Sequence, residues 1–406
     1  MNKLSGTRIL LGITGSIAAY KAAQWASEMI KEEAVVTVVM TAASQQFITP
    51  LTFAALTGNR VHSDMFALDP EGVMAHINLS REHDIILIAP ATAQTITRLA
   101  TGSAEDLLST AVLAAHIPVV VCPAMNAAMY GHPATQESIS RLLDFGYHVI
   151  QPERGHLACG ETGRGRLANW DTVRERLLAA LTPQDLKGQK VVITAGPTQE
   201  RIDPARYLTN RSSGKMGYAL ARAAKRRGAE VTLVTGPVHL PLPPEVACVQ
   251  VVSAADMEKA VATVSDTAAV VIKAAAVADY RPVEVRAQKI KKKQEYCSLE
   301  LVKNRDILAG LGTRKPDVQV LVGFAAESHN HEQEGRKKLI EKQLDLIAVN
   351  DILGDGTGFD VDTNQVLLID DQESIMLPLL SKEETAARIL DKIVTLLRRK
   401  SVLPTG

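Results

Sequence analysis

The chain has 406 residues, 45 Lys+Arg against 45 Asp+Glu, with 46% hydrophobic and 22% charged residues. That length exceeds one ordinary core and sets two domains as the expectation. The balanced charge gives no global field for nucleic acid or an anionic membrane, and no apolar run approaches the ~18 residues of a membrane span.

Short β-branched runs alternate with helical stretches from the start. In the first half the expected strands are RILLGIT (8–14), VVTVVM (35–40), IILIAP (85–90), VVVCPA (119–124) and HVIQP (148–152). They are continuously apolar rather than alternating, which suits parallel strands covered on both faces. Helical patterns fall at 18–31 and 134–145. The stretch ERGHLACGETGRGRLA (153–168) has four glycines and few anchors, and reads as a flap. TPQDLKGQ (182–189) breaks the pattern, which places a boundary there: one domain over 1–182, a linker at 183–189 and a second domain over 190–406. The second half supplies VVITAGP (191–197), VTLVTG (231–236), ACVQVV (247–252), VVIKAAA (270–276), VLVGFAA (320–326), LIAVN (346–350) and VLLID (366–370). The fold class is α/β, two doubly wound, mostly parallel-sheet domains. Ligands of such sheets sit beyond the carboxyl ends of the strands, so the residues there are the candidates for function.

Two loops of this kind stand out. In GITGSIAAYK, Gly15, Ser16 and Ile17 open a helix whose backbone N–H groups could hold a phosphate, though a plain tight strand–helix turn has the same look. The Gly12-x-x-Gly15 spacing lacks the dinucleotide fingerprint and favours a mononucleotide. RYLTNRSSGKMG (206–217) is the second, and it fails as a P-loop. Thr209 stands five residues before Gly214, and Met216 replaces the magnesium-binding Ser/Thr. Cys122, Cys159, Cys248 and Cys297 are scattered without metal-ligand spacing. The N-terminus enters a strand at once, without a signal-peptide pattern, so a cytoplasmic protein with reduced thiols is expected. A lone histidine such as His76 is more often structural than functional, and the basic run KIKKK (289–293) is by itself a solvated face.

Company changes these readings. GSIAAYK, the AHINL segment with His76, APAT (89–92), PAMN with Met129, and the Cys159 flap occur in order over residues 8 to about 170. Together they resemble the FMN-dependent cysteine decarboxylases acting on phosphopantothenoylcysteine. The resemblance implies a flavodoxin-like domain with FMN held by Gly15, Ser16, Ile17, Pro90, Ala91, Thr92 and Ser109. The chemistry needs an electron sink: oxidising the CH₂–SH carbon to a thioaldehyde lets CO₂ leave, and the enethiolate must then be reduced and protonated. By resemblance His76 assists the oxidative phase, Asn126 binds the substrate carboxylate, and Cys159 donates the proton. A cysteine on a glycine-rich flap can also exclude water. The flap's tail, Gly163-Arg164-Gly165-Arg166, could help hold an anionic group.

ITAGPTQERIDPARYLTNRSSGKMG, AAAVADY (274–280), KIKK (289–292), GFAAES (323–328) and KLIEK (338–342) follow, again in order, and resemble the phosphopantothenate–cysteine ligases. This implies a Rossmann-like domain that uses CTP, with Mg²⁺ or Mn²⁺, to join phosphopantothenate and L-cysteine. A carboxylate condenses with an amine only after its oxygen becomes a leaving group, here through an acyl-cytidylate whose developing charge must be met by cations and dipoles. The resemblance implies that Asn210 and Arg206 meet the intermediate, and that Ala274, Ala275 and Asp279 line the nucleoside side. Lys289, Lys338 and Lys342 would bind the triphosphate and Phe324 would pack on the nucleotide. Lys338 and Lys342, four apart, are expected to share a helix face. Asp306, Ile307 and Leu308 belong to the same nucleotide site, with Arg305 where the family usually has proline. Lys273 likewise stands where a small residue is common. By resemblance the first domain forms trimers with sites at subunit interfaces, the second dimerises, and the whole is a dodecamer. A two-domain dehydrogenase, a regulatory protein with dead sites and a peptidyl-cysteine decarboxylase are the rival readings.

Overall fold

The computed structural model describes residues 4–66, 75–291, 298–327, 329–351, 358 and 361–404, with Asp351 described by its backbone alone. The chain divides into two compact units, Met1–Pro183 and Gln184–Gly406.

The first unit runs β1 (Arg8–Ile13), α1 (Ala19–Lys31), β2 (Val35–Met40), α2 (Pro50–Thr57), β3 (Val61–His62), α3 (Ala75–Arg81), β4 (Ile85–Ala91), α4 (Ala93–Thr101), α5 (Leu107–Leu113), β5 (Val119–Pro123), α6 (Ala127–Gly131), α7 (Pro133–Asp144), β6 (His148–Val149), β7 (Glu153–His156), β8 (Thr162–Arg166) and α8 (Trp170–Leu181). Six strands form one parallel sheet in the order β3-β2-β1-β4-β5-β6. The apolar runs have a simple cause. Ile9, Leu11 and Ile13 face one core with Trp25, Val173 and Leu177, while Leu10 faces the other with Ile96, Leu108 and Leu142. Both faces of the pleat are covered, so alternation is lost.

The second unit has β9 (Lys190–Ala195), β10 (Gln199–Asp203), β11 (Arg206–Thr209), α9 (Lys215–Arg226), β12 (Glu230–Thr235), β13 (Ala247–Gln250), α10 (Ala254–Ser265), β14 (Val270–Lys273), β15 (Tyr280–Pro282), β16 (Leu301–Lys303), α11 (Ile307–Gly312), β17 (Val320–Glu327), α12 (His331–Glu341), β18 (Leu346–Asp351), β19 (Thr363–Asn364), β20 (Val366–Ile369), β21 (Ser374–Met376), β22 (Leu380–Ser381) and α13 (Lys382–Arg399). Its eight-stranded sheet has the order β13-β12-β9-β14-β17-β18-β20-β21. The first six are parallel, whereas β20 and β21 add antiparallel. VLLID is apolar because all four residues of β20 are buried, a property that does not reveal strand direction.

Three local results differ from the sequence expectations. The start of the second loop, Arg206–Thr209, is a strand of an antiparallel hairpin with Gln199–Asp203. Of the stretch read as a linker, Leu186 is buried in the second core and Asp185 pairs with Arg227 at 2.5 Å. The glycine-rich stretch at 153–168 is a β7–β8 hairpin fixed near its base, where Met125 N–H donates to the Gly165 carbonyl at 3.0 Å. A Cβ on Gly165 would lie 2.1 Å from the Met125 carbonyl oxygen, so only glycine permits that approach.

Candidate active sites

The first cleft, of about 620 Å³, opens at the carboxyl ends of β1, β4 and β5. Buried Thr14 sets its floor by donating to the Pro90 carbonyl at 2.6 Å and accepting from Thr92 N–H at 3.1 Å. Gly15 packs so closely that a Cβ would lie 2.6 Å from the Ala43 Cβ. Ser16 Oγ accepts from Ala18 N–H at 3.3 Å, at the start of the 13-residue α1. Gly15, Ser16, Ile17 and Thr92 all line the cleft, together with Asn126, Met129 and Cys159.

Asn126 caps α6, and its orientation is fixed because Oδ1 accepts from Ala128 N–H at 2.8 Å. Nδ2 therefore points outward as a donor, 3.4 Å from Cys159 Sγ and 2.9 Å from Glu161 Oε2. Cys159 is exposed, while burial pushes the Cys122 thiol up and leaves it inert inside β5. Lys21 and Arg166 also line the cleft. Partial burial, then the Arg166 charge, holds the Lys21 ammonium below the usual lysine range. Lys21 was visible in GSIAAYK, but its neighbour Arg166 lies 145 residues on, in the hairpin, so the pairing had no sequence signal.

Four expected residues stand elsewhere. Ala91 is buried in β4, and Pro90 meets Thr14 through its carbonyl. Ser109 is buried in the capping box of α5, donating to Asp106 at 2.8 Å. Half-buried His76 lies on α3 and is not part of this cleft's lining.

The second cleft, of about 550 Å³, collects Asn210, Ala274, Ala275, Asp279, Phe324 and Lys338 at the ends of β9, β14 and β17. Gly214, at φ 77°, turns the chain into α9, and a Cβ on Gly217 would lie 2.5 Å from the Ala195 Cβ. That small-residue contact lets the helix start against the strand end. Asn210 Nδ2 donates to the Val277 carbonyl at 3.0 Å, and Ala275 N–H donates to Thr194 Oγ1 at 3.1 Å.

The cations arrive differently from expectation. Lys338 pairs with Glu327, whereas Lys342, just past the end of α12, pairs with Asp306 at 2.8 Å. Their shared face is thus divided between two carboxylates. Burial works against the Asp306 charge, but Lys342, the Ala309 N–H and Lys273 hold its carboxyl below the usual range. Burial in turn pushes Lys273 down to about 8, against the charges of Asp306 and Asp279. Ile307 and Leu308 are buried among Val271, Leu321 and Leu344 as the core face of α11, so what they can offer the nucleotide site is their backbone groups. Arg305 points outward toward Glu258 at 3.5 Å. Arg206 grips buried Asp203 at 2.6 Å and donates to the Ile290 carbonyl at 3.1 Å, beside exposed Lys289. Arg206 holds the Asp203 carboxyl well below the usual range. Neither Arg206 nor Lys289 lines the cleft, and Lys292, Lys293 and Cys297 lie outside the described residues.

Sequence reasoning missed several lining residues. Lys215 pairs with Asp362 at 2.7 Å, and buried Lys382 donates to the Gly358 carbonyl at 3.3 Å. Asn350 Oδ1 and Asn364 Oδ1 are buried in the same lining without a hydrogen-bond partner among the described residues. Among those residues no three His, Cys, Asp or Glu side chains form a metal-binding group, and no helix is long and apolar enough to cross a membrane.

The family patterns divide the chain where the clefts do. The flavoprotein family matches residues 1–182, and the DNA/pantothenate metabolism flavoprotein C-terminal domain matches residues 186–397. The coenzyme A biosynthesis bifunctional protein CoaBC of Bacillus subtilis (strain 168) is 46% identical over 398 residues, covering 97% of this chain and 98% of that one. Its namesake from Escherichia coli (strain K12) is 44% identical over 396 residues, covering 97% and 98%. This chain belongs to the family of bifunctional coenzyme A biosynthesis proteins. Among solved structures, the C-terminal domain of a bifunctional protein of this family shares 45% identity over 53% of this chain and 99% of its own, with a TM-score of 0.47. The FMN-dependent cysteine decarboxylase SpaF shares 29% identity over 44% of this chain and 99% of its own, with a TM-score of 0.40.

Proposed function

We propose that the second unit condenses phosphopantothenate with L-cysteine at the expense of CTP, and that the first decarboxylates the phosphopantothenoylcysteine formed to phosphopantetheine. The observation that carries this reading is one cleft per unit, with Asn126 and Cys159 together in the first and Asn210, Asp279 and Lys338 together in the second.

The first cleft fits FMN. Its volume is that of a cofactor site, its wall offers Ile17, Met125, Met129 and Leu157, and the tight Gly15 turn at the start of a long helix suits a phosphate. When bound, the flavin supplies the two-electron chemistry that makes the carbon next to sulfur an electron sink. The chain's own groups do the rest. Asn126 Nδ2 is a fixed donor for a carboxylate, and the Cys159 thiol, 3.4 Å away, is placed to protonate the carbon from which CO₂ departs. His76 lies outside this lining, so it would come from a neighbouring copy in a homo-oligomer, the dodecamer that the resemblance implies.

In the second cleft, Lys338, Lys215 and Lys382 supply positive charge for the phosphates. The Oδ1 atoms of Asn350 and Asn364, buried without a hydrogen-bond partner among the described residues, are hard oxygen donors that fit Mg²⁺ or Mn²⁺. Asp279 can accept from an exocyclic amine, which favours cytosine over uracil. Asn210, held on Val277, keeps a second N–H for the acyl-cytidylate. The test supplies CTP, cysteine and phosphopantothenate to the flavin-loaded chain and analyses products by mass. CMP, pyrophosphate, CO₂ and phosphopantetheine are expected; ATP serving equally, or an intact carboxylate in the final product, would refute the respective half.

A further inference from the structure

The carboxylate of Glu161, to which no role has been assigned so far, meets both reactive groups of the first cleft. Its Oε2 accepts from Asn126 Nδ2 at 2.9 Å and lies 3.8 Å from Cys159 Sγ. The receptor is one-sided. Asn126 Oδ1 is committed to Ala128 N–H at 2.8 Å, so Nδ2 faces the cleft as a donor and calls for an acceptor. Glu161 reaches it from the turn between β7 and β8, where Leu157 N–H donates to the Glu161 carbonyl at 2.8 Å and Gly160 adopts φ 85°. The side chain is exposed, and no cation pairs with it among the described residues. An anion held only by an amide and a thiol is bound weakly enough to be exchanged.

We propose that Glu161 is a positioning residue that occupies the carboxylate receptor of Asn126 in the substrate-free flap, and that the substrate's carboxylate displaces it. The inference rests on the decarboxylase reading of this cleft. Two carboxylates on one amide repel each other, so Glu161 and substrate exclude one another there. The oxygen position that Glu161 now holds then marks where the substrate carboxylate sits, within reach of both Asn126 and Cys159. Loss of CO₂ removes the competing anion, and Glu161 recovers the amide. Glu161 thereby lowers affinity for the carboxylate-bearing substrate relative to the carboxylate-free product.

The test uses the full, flavin-loaded chain and two ligands without a thiol, phosphopantothenoylserine and phosphopantothenoylethanolamine, which differ by one carboxylate. Binding is followed by the visible absorption of the bound flavin, which reports this cleft and not the ligase cleft. Glu161→Gln should tighten the serine ligand by about fivefold to tenfold, as expected for removing one like charge near a half-exposed site, and leave the ethanolamine ligand within about twofold. Glu161→Ala should move the ratio the same way. A ratio that stays at the wild-type value, or shifts toward weaker carboxylate binding, in either variant overturns the role of Glu161 alone. Wild-type protein that binds neither ligand overturns the decarboxylase reading, and this inference with it.

Discussion

The two clefts solve opposite problems with the same sheet plan. The first is walled by Ile17, Met125, Met129 and Leu157 and concentrates its chemistry in a few groups on one cap and one hairpin. The second is lined by Lys215, Lys338 and Lys382, and its cations already meet Asp362, Glu327 and the Gly358 carbonyl inside the chain. An apolar wall suits a flat, largely uncharged ring system and strengthens the few polar contacts within it. A charged lining suits a triphosphate, but there each phosphate contact competes with an ion pair or hydrogen bond already made inside the chain. Single groups should therefore dominate in the first cleft, while charge should be shared in the second.

The largest effect expected from that contrast is at Cys159. Cys159→Ser should let CO₂ escape while cutting the reduced product about a hundredfold or more, because a hydroxyl is a far poorer acid than a thiol. Mass analysis should find a product lighter by two hydrogens, and CMP formation should be unaffected. Normal phosphopantetheine output would remove the distinction between the clefts.

In the second cleft, Asn210→Asp would set a carboxylate against the Val277 carbonyl and against phosphate. Loss of the donor at a charged intermediate should slow amide formation by about tenfold to a hundredfold. Pyrophosphate should still appear, with acyl-cytidylate accumulating after cysteine is added. Lys338→Gln should instead reduce pyrophosphate release from the start, and both variants should decarboxylate supplied phosphopantothenoylcysteine at the parent rate. Equal loss of both activities in a folded variant would join what the structure separates.

Gly15→Ala is a smaller perturbation. Its Cβ would press on the Ala43 Cβ at 2.6 Å, closer than real Cβ contacts come, so the loop must shift. Overpacking of this kind costs about 1–3 kcal/mol, and retention of FMN after dialysis, read by absorbance, should fall. Unchanged retention would show that the Gly15 turn does not hold the cofactor.

The mildest effect concerns pH. Burial holds Lys273 at about 8 in the folded chain, below its unfolded value. Between about 8 and the unfolded lysine value of about 10.4, the unfolded state binds the extra proton, so this group makes stability rise with pH. Below about 8 both states are protonated and the full burial penalty remains, offset by Asp306 and Asp279. Lys273→Met should flatten that rise in urea melts between pH 8 and 10. A parallel pH profile in the variant would remove Lys273 as its source.

Much of this molecule was legible because its strands are local. IILIAP and VVVCPA are continuous apolar runs, and burial on both faces leaves no polar residue to confuse them. The loops at their carboxyl ends were legible too, since Gly15 and Gly214 mark positions where only glycine allows the packing or the turn. Sequence order could not show that Arg206–Thr209 pairs as a hairpin strand, because its exposed residues carry no alternation. Nor could it show that β20 runs antiparallel.

What the sequence determined by itself is the class of both sheets, the position of their phosphate-type loops and the residue types gathered near them, all carried by runs of fewer than about fifteen residues. Only the tertiary structure decided partners. It set Lys342 on Asp306 rather than beside Lys338, buried Ile307 and Leu308 in the core, and brought Glu161 to Asn126 across 35 positions. The physical reason is that periodicity reports which face of an element is apolar. An ion pair or a hydrogen bond depends instead on where two chain segments end in space, and that is fixed by the sheet and helices packing between them.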